Sequence, residues 1–183
     1  MTRSPSWTTR ARHVRLVVTD VDGVLTDGRM ILSDHGDELK SFHTRDGVAV
    51  ALARQAKLRT AMITGETSPI AKTRGDKLGV DVVVLGARRK GEALEALCAQ
   101  FDLPCTAAAY IGDDLLDIPA LQRAGLAVAV ADAADEVKAV AQLVTRAAGG
   151  HGVFREVIER ILRAQRRWND VLSTYVRDHG GTA

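Results

Sequence analysis

The sequence has few cysteines, little net charge and no long apolar run. Its two cysteines, Cys98 on a predicted helix and Cys105 before a predicted strand, fit reduced core thiols better than a disulfide or a metal site. The formal net charge is only +2, so we expect no nucleic-acid partner and no membrane partner. No segment is long enough to span a bilayer, and residues 1–13 are polar and basic without the apolar core of a secretory signal. We therefore expect a cytoplasmic protein whose residues 1–13 form a disordered leader.

What the chain does contain is an alternation of strand and helix patterns. Its 183 residues, 46% hydrophobic and 26% charged, suffice for one sizeable core but are short for two. The alternation predicts a Rossmann-like α/β fold, a parallel sheet flanked by helices, in one domain over residues 14–168 with a C-terminal tail over 169–183. Besides the first strand around Val17, we predict strands at 59–63, 81–85, 107–111, 126–130 and 142–145. We predict helices at 46–56, 68–78, 90–101 and 115–123, a short one near Glu136, and a closing helix from about Val153 that reaches Trp168.

Two carboxylates follow the first predicted strand. The apolar run around Val17 and Val18 ends in Asp20 and Asp22, two residues apart, with Gly23 behind them. Carboxylates at the carboxyl end of a central parallel strand point into the crevice where open α/β sheets bind their ligands. Taken alone, however, this pattern is better explained by a strand followed by an Asp-Gly turn.

Three later segments add polar groups at the ends of predicted elements. Thr64 follows a strand, Lys90 opens a helix, and Asp113, Asp114 and Asp117 follow another strand. Taken alone, Thr64 is best explained as a hydroxyl that caps a turn, and Lys90 as a solvated helix residue. The ordered set of segments is what favours a single phosphate site.

In this order, the four segments resemble the four motifs of the haloacid dehalogenase superfamily of phosphatases, and the resemblance spans nearly the whole chain. It implies that Asp20 is the nucleophile and forms an aspartyl-phosphate. Asp22 would protonate the leaving oxygen and later take a proton from the hydrolytic water. Thr64 would hydrogen-bond the phosphoryl oxygens, and Lys90 would neutralise them while pairing with the nucleophile.

The acidic residues also predict a metal site. A phosphate monoester is dianionic and repels an attacking carboxylate, so a cation is needed between them. We expect Mg²⁺ on the side chains of Asp20 and Asp113, and the resemblance adds the backbone carbonyl of Asp22. Asp113, Asp114 and Asp117 cannot all bind one ion. We expect Asp114 and Asp117 to orient the metal's waters, the lysine or the loop, although Asp117 is alternatively only a charged residue in a first helical turn.

The intervals between the motifs leave no room for a cap domain. A β-hairpin over residues 29–42 and one helix fill the interval from Asp22 to Thr64, and one helix and one strand fill that from Thr64 to Lys90. The hairpin would stand over the site as a flap. With its segments at 20–28, 42–47 and 147–156, the chain resembles the capless phosphatases of 2-keto-3-deoxy sugar acid phosphates. That resemblance implies a homotetramer in which the flap of one subunit closes the site of the next.

Four residues bear on the substrate. Arg45 and Arg74 are candidates to contact the carboxylate of the sugar acid, since a guanidinium matches a carboxylate at two points; Arg74 is alternatively an exposed helix residue. Glu66 with Lys77 resembles the pattern of the nine-carbon enzymes, whereas eight-carbon enzymes usually carry Arg in place of Glu66. We therefore expect a nonulosonate 9-phosphate as substrate, with octulosonate 8-phosphate as the alternative. A surface ion pair would explain Glu66 and Lys77 equally well.

Other functions stay open at this point. A broad sugar phosphatase or a phosphomutase would use the same core, although the missing cap and the lack of a second phosphate site argue against a mutase. A non-catalytic binding or assembly module would keep the fold without the chemistry. The presence of Asp20, Asp22, Thr64, Lys90 and Asp113 together argues against that module.

Overall fold

The structure is a computed structural model and describes residues 6–182. Its centre is a six-stranded sheet in which every neighbouring pair of strands is parallel. In sheet order the strands are β5 (Val82–Val84), β4 (Arg59–Ile63), β1 (Leu16–Thr19), β6 (Ala108–Gly112), β7 (Leu126–Ala129) and β8 (Leu143–Val144). All four residues of β1 are buried, as expected for a central strand covered on both faces.

Eight α-helices lie among the described residues, and they form two packed groups. They are α1 (Trp7–Ala11), α2 (Thr44–Gln55), α3 (Pro69–Leu78), α4 (Lys90–Gln100), α5 (Ile118–Arg123), α6 (Asp135–Val140), α7 (Val153–Ala164) and α8 (Trp168–Asp178). The first group centres on α2, which contacts α3, α7 and α8, and the second on α5, which contacts α4 and α6. Short 3₁₀ turns occupy Cys105–Ala107 and Leu115–Asp117. A parallel sheet flanked by helices confirms the predicted fold class.

A β-hairpin stands between β1 and α2. Its strands, β2 (Ile31–Leu32) and β3 (Glu38–Leu39), pair antiparallel around a turn that contains Gly36 at φ +85°. No further strand or helix of the described chain lies between β1 and α2, or between β4 and α4 apart from α3 and β5. The predicted flap and the predicted lack of a cap domain are therefore confirmed.

The segment predicted as a disordered leader contains a helix. Residues 1–5 of that prediction lie outside the described residues, but α1 begins behind Ser6, whose hydroxyl accepts a hydrogen bond from the amide of Thr9 at 3.3 Å. The side-chain amide of Gln165 donates to the carbonyls of Ala11 and Val14 at 3.1 and 2.8 Å. The prediction of disorder is wrong for residues 7–11, because contacts distant in sequence fix this short helix.

The predicted boundary of the tail at residue 169 is also wrong, because it falls inside α8. Helix α7 ends at Ala164, and Trp168 begins the next helix instead of extending the closing one. Trp168 is buried, and the guanidiniums of Arg155 and Arg163 lie over its ring at 5.4 and 5.0 Å from the centroid. None of the helices described between residues 6 and 182 is long and apolar enough to cross a bilayer.

Candidate active site

Three neighbouring strands deliver the predicted site residues to one edge of the sheet. Asp20 follows β1, Thr64 follows β4 and Asp113 follows β6, and β1 lies between the other two strands. Because parallel strands end at the same edge, these side chains meet. They line a cleft of about 170 Å³, together with Asp22, Gly65, Glu66, Lys90, Asp114, Leu116 and Asp117.

Lys90 is the buried cation of the cleft. Its Nζ lies 2.9 Å from Oδ2 of Asp20 and 2.8 Å from Oδ1 of Asp117, and all three side chains are buried. Burial lowers the pKa of Lys90, but the charges of Asp20 and Asp117 and its hydrogen bonds to them raise that pKa by more. The lysine therefore stays charged and fixes the position of Asp20.

Asp117 has a hydrogen-bond donor on each of its oxygens. Oδ1 accepts from Lys90 and from the hydroxyl of Tyr110 at 2.8 Å, and Oδ2 accepts from the amides of Asp113 and Asp114 at 2.9 and 3.3 Å. Asp117 therefore holds the lysine and the loop after β6. Asp114 is exposed and accepts a hydrogen bond from the amide of Leu115 at 2.8 Å, so its side chain caps the turn that follows.

Asp113 has the free oxygen of the cluster. Its Oδ1 is buried and has no hydrogen-bond partner among the described residues. Oxygens of Asp20, Asp113 and Asp117 lie within 4.8 Å of one another. A buried carboxylate oxygen without a donor, next to a second carboxylate, fits a hard divalent cation. Asp20 and Asp113 are the two that could hold it, because Asp117 is already engaged.

Gly23 makes room for Asp113. It has φ +85°, and a Cβ atom there would overlap the carboxylate of Asp113. Gly112 has the same relation to Asp117, whose side chain would overlap a Cβ atom at position 112. Gly23 therefore lets the loop after β1 pack against the loop after β6, in addition to turning the chain.

The cluster has more negative charge than its surroundings stabilise. Burial, followed by the charge of Asp117, raises the pKa of Asp20 from 3.8 to about 7. Burial, followed by the charges of Asp20 and Asp117, raises the pKa of Asp113 from 3.8 to about 8. One lysine does not offset three neighbouring carboxylates, so the protein alone leaves a deficit of positive charge that a bound cation would fill.

Asp22 lines the same cleft as this cluster and binds the hairpin. Its Oδ1 accepts a hydrogen bond from Lys40 Nζ at 2.6 Å, and its Oδ2 accepts from the hydroxyl of Thr64 at 3.4 Å. Lys40 also pairs with Glu38 at 3.2 Å. Burial lowers the pKa of Lys40, but its hydrogen bond to Asp22, the charge of Asp22 and the ion pair with Glu38 raise that pKa above its ordinary value.

Sequence reasoning missed Lys40 and Tyr110. Tyr110 sits inside an apolar strand, where it looks like any other core residue. Lys40 sits in a hairpin of mostly polar residues, and only the way the hairpin folds back brings it to Asp22. For Lys40, the only indication in the sequence was the expectation that the hairpin stands over the site.

The structure brings one of the four predicted substrate residues to the cleft. Glu66 lines it, and the amide of Glu66 donates to Thr64 Oγ1 at 3.1 Å. Lys77 is exposed in the last turn of α3, and no ion pair joins it to Glu66 in the described chain. Arg74 lies over the ring of Phe42 at 5.4 Å from its centroid, outside the residues that line the cleft.

Arg45 lies apart from the cleft of its own chain. It is exposed in the first turn of α2 and lines a separate cavity of about 570 Å³, with His151, Arg155 and Arg160 among its neighbours. The substrate-contacting roles predicted for Arg45, Arg74 and Lys77 therefore have no support from their positions in this chain.

Comparison with known proteins identifies the fold as that of an enzyme family. A family model described as haloacid dehalogenase-like hydrolase matches residues 57–157. A 3-deoxy-D-manno-octulosonate 8-phosphate phosphatase from Haemophilus influenzae is 40% identical over 156 residues, 85% of this chain and 87% of the relative. This chain belongs to the haloacid dehalogenase-like hydrolases. A phosphatase of the same name from Salmonella typhimurium is 39% identical and covers 88% of this chain and 86% of itself. The chain is a phosphoric monoester hydrolase of this family.

Solved structures agree with this assignment. A hydrolase of the same superfamily from Legionella pneumophila has a TM-score of 0.90 and 36% identity, with 93% of this chain and 94% of that chain covered. The 3-deoxy-D-manno-octulosonate 8-phosphate phosphatase from Moraxella catarrhalis has a TM-score of 0.89 and 34% identity, with 92% and 97% covered. The latter was solved in complex with a magnesium ion, a phosphate ion and the sugar acid.

Proposed function

We propose that this enzyme is a magnesium-dependent phosphatase of 3-deoxy-D-manno-octulosonate 8-phosphate. The main structural support for this reaction is the ion pair between Asp20 and Lys90 at 2.9 Å, which lies beside Asp113. Oδ1 of Asp113 has no hydrogen-bond partner in the described chain. This arrangement suits a carboxylate nucleophile and a dianionic substrate. The substrate is inferred from two relatives of that name at 39% and 40% identity and from the Moraxella complex.

In the proposed first step, an oxygen of Asp20 attacks phosphorus while the bond from phosphorus to the sugar's terminal oxygen breaks. The leaving oxygen takes a proton from the carboxyl of Asp22, so a neutral sugar alcohol departs. Lys90 donates to the phosphoryl oxygens and to Asp20, and the Thr64 hydroxyl binds another phosphoryl oxygen. The product of this step is an aspartyl-phosphate on Asp20.

In the second step, water attacks phosphorus and passes a proton to Asp22, which restores its carboxyl, while the bond from phosphorus to Asp20 breaks. Asp20 and Asp113 would hold Mg²⁺ through their side chains, with the carbonyl of Asp22 as a further oxygen ligand. The bound ion supplies the positive charge that lets a carboxylate approach a dianionic phosphate. Asp117 positions Lys90, and Asp114 positions the loop, because those are the groups they contact.

The substrate proposed here has eight carbons, whereas Glu66 and Lys77 led us to expect a nine-carbon one. That expectation treated the two residues as a specificity pair, but Lys77 is exposed on α3 while only Glu66 reaches the cleft. Relatives that share about two-fifths of the sequence bear the eight-carbon name. Glu66 in place of the usual Arg therefore does not by itself indicate a nine-carbon acid.

The active form is proposed to be a homotetramer. Its hairpin exposes four large apolar side chains, Met30, Ile31, Leu32 and Leu39, at 49%, 53%, 69% and 63% of their maximal area. An open cleft without a cap needs a cover that excludes water, and a neighbouring subunit's hairpin would supply it. Arg74 contacts Phe42 and His43 after the hairpin, and Arg45 follows them in the chain. Both arginines remain candidates to bind the carboxylate of the substrate in such an assembly.

The test is phosphate release from matched eight-carbon and nine-carbon 2-keto-3-deoxy acid phosphates, with Mg²⁺ and with chelator. We expect chelator-sensitive release and a preference for the eight-carbon acid. Asp20→Asn should lower turnover by at least about 10³-fold, because an amide cannot act as the nucleophile. Asp76→Asn on the exposed face of α3 serves as the matched control and should keep full activity. Unchanged turnover in Asp20→Asn would refute the nucleophile, and a nine-carbon preference would refute the substrate.

A further inference from the structure

Lys40 is a nearly inaccessible cation that the reaction steps above do not use. Its side chain is 1% exposed although it stands on a hairpin that is otherwise open to solvent. Its Nζ lies 2.6 Å from Oδ1 of Asp22 and 3.2 Å from Oε1 of Glu38. A lysine is rarely withdrawn from water this far unless its ammonium is held by partners, so this contact is specific.

The contact from Lys40 is the shorter of the two that fix the carboxylate of Asp22. The other comes from Thr64, whose hydroxyl is 3.4 Å away, near the limit of a hydrogen bond. Asp22 follows β1 by several residues and is not itself part of a strand or helix. Its carboxylate therefore takes its orientation mainly from the hairpin.

Orientation matters because proton transfer requires the donor and the acceptor atoms to be within about 2.6–3.2 Å of each other. We propose that Lys40 is a positioning residue that holds the carboxyl of Asp22 toward the leaving oxygen, with Glu38 fixing Lys40 in turn. The inference rests on the proposed function, since it assigns a role within that reaction. With this role for Lys40, protonation of the leaving group depends on the position of the hairpin over the site.

This role has a signature that a general effect on folding would not produce. A sugar alkoxide is a poor leaving group and needs a proton as its bond to phosphorus breaks, whereas p-nitrophenolate leaves without one. Loss of a correctly held Asp22 should therefore slow the first step much more for the sugar acid phosphate than for p-nitrophenyl phosphate.

The experiment measures how fast Lys40→Met, Lys40→Arg and the unsubstituted protein react with each of the two substrates in Mg²⁺. For Lys40→Met we expect the single-turnover rate of sugar release to fall by about 10²-fold, the single-turnover rate of p-nitrophenolate release to fall by less than about 3-fold, and the substrate concentration that gives half the maximal rate to change little. Single-turnover rates are compared because hydrolysis of the aspartyl-phosphate, in which Asp22 also acts, is common to both substrates. Lys40→Arg should recover most of the loss, because a guanidinium can still donate to Asp22. Lys72→Met, which removes an exposed lysine paired with Asp76 on α3, is the matched control.

Two results would overturn the proposal. Equal losses of the single-turnover rate on both substrates would show that Lys40 does not act through the leaving group. A rise in the substrate concentration that gives half the maximal single-turnover rate, with the maximal rate unchanged, would make Lys40 a substrate ligand instead of a positioning residue. Thermal melting of Lys40→Met alongside the unsubstituted protein identifies any loss that comes from unfolding. Absence of phosphate release by the unsubstituted protein is a separate result, which would refute the proposed function before the variants are compared.

Discussion

At the residue scale, Gly23 couples the acidic loop after β1 to the acidic loop after β6. Two properties of the position exclude a side chain: the backbone has φ +85°, and the carboxylate of Asp113 occupies the space of a Cβ atom. The same carboxylate has a buried oxygen that lacks a hydrogen-bond partner among residues 6–182 and could hold a cation. A methyl group at position 23 would therefore act on the metal site through Asp113, without removing any charged group.

Gly23→Ala should weaken Mg²⁺ binding by about tenfold or more, because the carboxylate of Asp113 must move from its present position. The strained backbone should also lower the free energy of unfolding by about 1–2 kcal/mol. Gly36→Ala is the matched control: it has the same φ of +85° but no atom within 4 Å of its Cβ position, so it should have the strain alone. Calorimetric titration with Mg²⁺ measures the affinity. Equal Mg²⁺ affinity in the two variants would contradict the packing argument.

How much of this site the sequence predicts differs from residue to residue. Asp20, Thr64 and Asp113 could be placed together because parallel strands end at one edge, so an alternation of strands and helices suffices. The hydrogen bond from Tyr110 to Asp117 could not be predicted, because it depends on how two neighbouring backbones pack. Glu66 and Lys77 look like a pair in the sequence, yet α3 begins only at Pro69, so Glu66 lies in the loop before that helix.

At the element scale, the hairpin exposes apolar side chains on both of its strands. Cross-strand neighbours Ile31 and Leu39 are both exposed, whereas apolar pairs in a hairpin usually cover a core. A two-stranded ribbon is marginal on its own, so its apolar side chains gain stability from a second surface. The sequence predicts the hairpin from its turn residues, but it does not reveal what covers these side chains.

Replacing both Ile31 and Leu39 with Thr should dissociate the proposed tetramer while the hairpin keeps residues that favour strands. Light scattering should then report 19.7 kDa, the mass of one chain, in place of four times that mass. Activity on the sugar acid phosphate should fall with it, because the cleft loses its cover. Leu172→Gln, which alters an exposed apolar residue on α8, is the control and should keep the assembly. A fully active unsubstituted protein of 19.7 kDa would refute the assembly.

At the scale of the whole molecule, the buried acidic cluster links stability to pH and to metal. The pKa of Asp20 is raised to about 7 and that of Asp113 to about 8, both from 3.8. Between pH 3.8 and about 8, the folded, metal-free protein therefore binds more protons than the unfolded chain. The contribution of this pair to the free energy of unfolding is fully present below the unfolded pKa and is lost as the pH rises through about 7 to 8.

Mg²⁺ should reverse this dependence, because it binds the ionised carboxylates and competes with the protons. At about 100 times its Kd the ion adds about 2.7 kcal/mol, which for a chain of this size raises Tm by about 5–10 °C. We expect that increase at about pH 8.5 and almost none at about pH 5.5, where protons occupy the site. Melting curves with Mg²⁺ and with chelator at both pH values measure it. Asp113→Asn should lose most of the increase at high pH, and an equal increase at both pH values would exclude these carboxylates as the metal ligands.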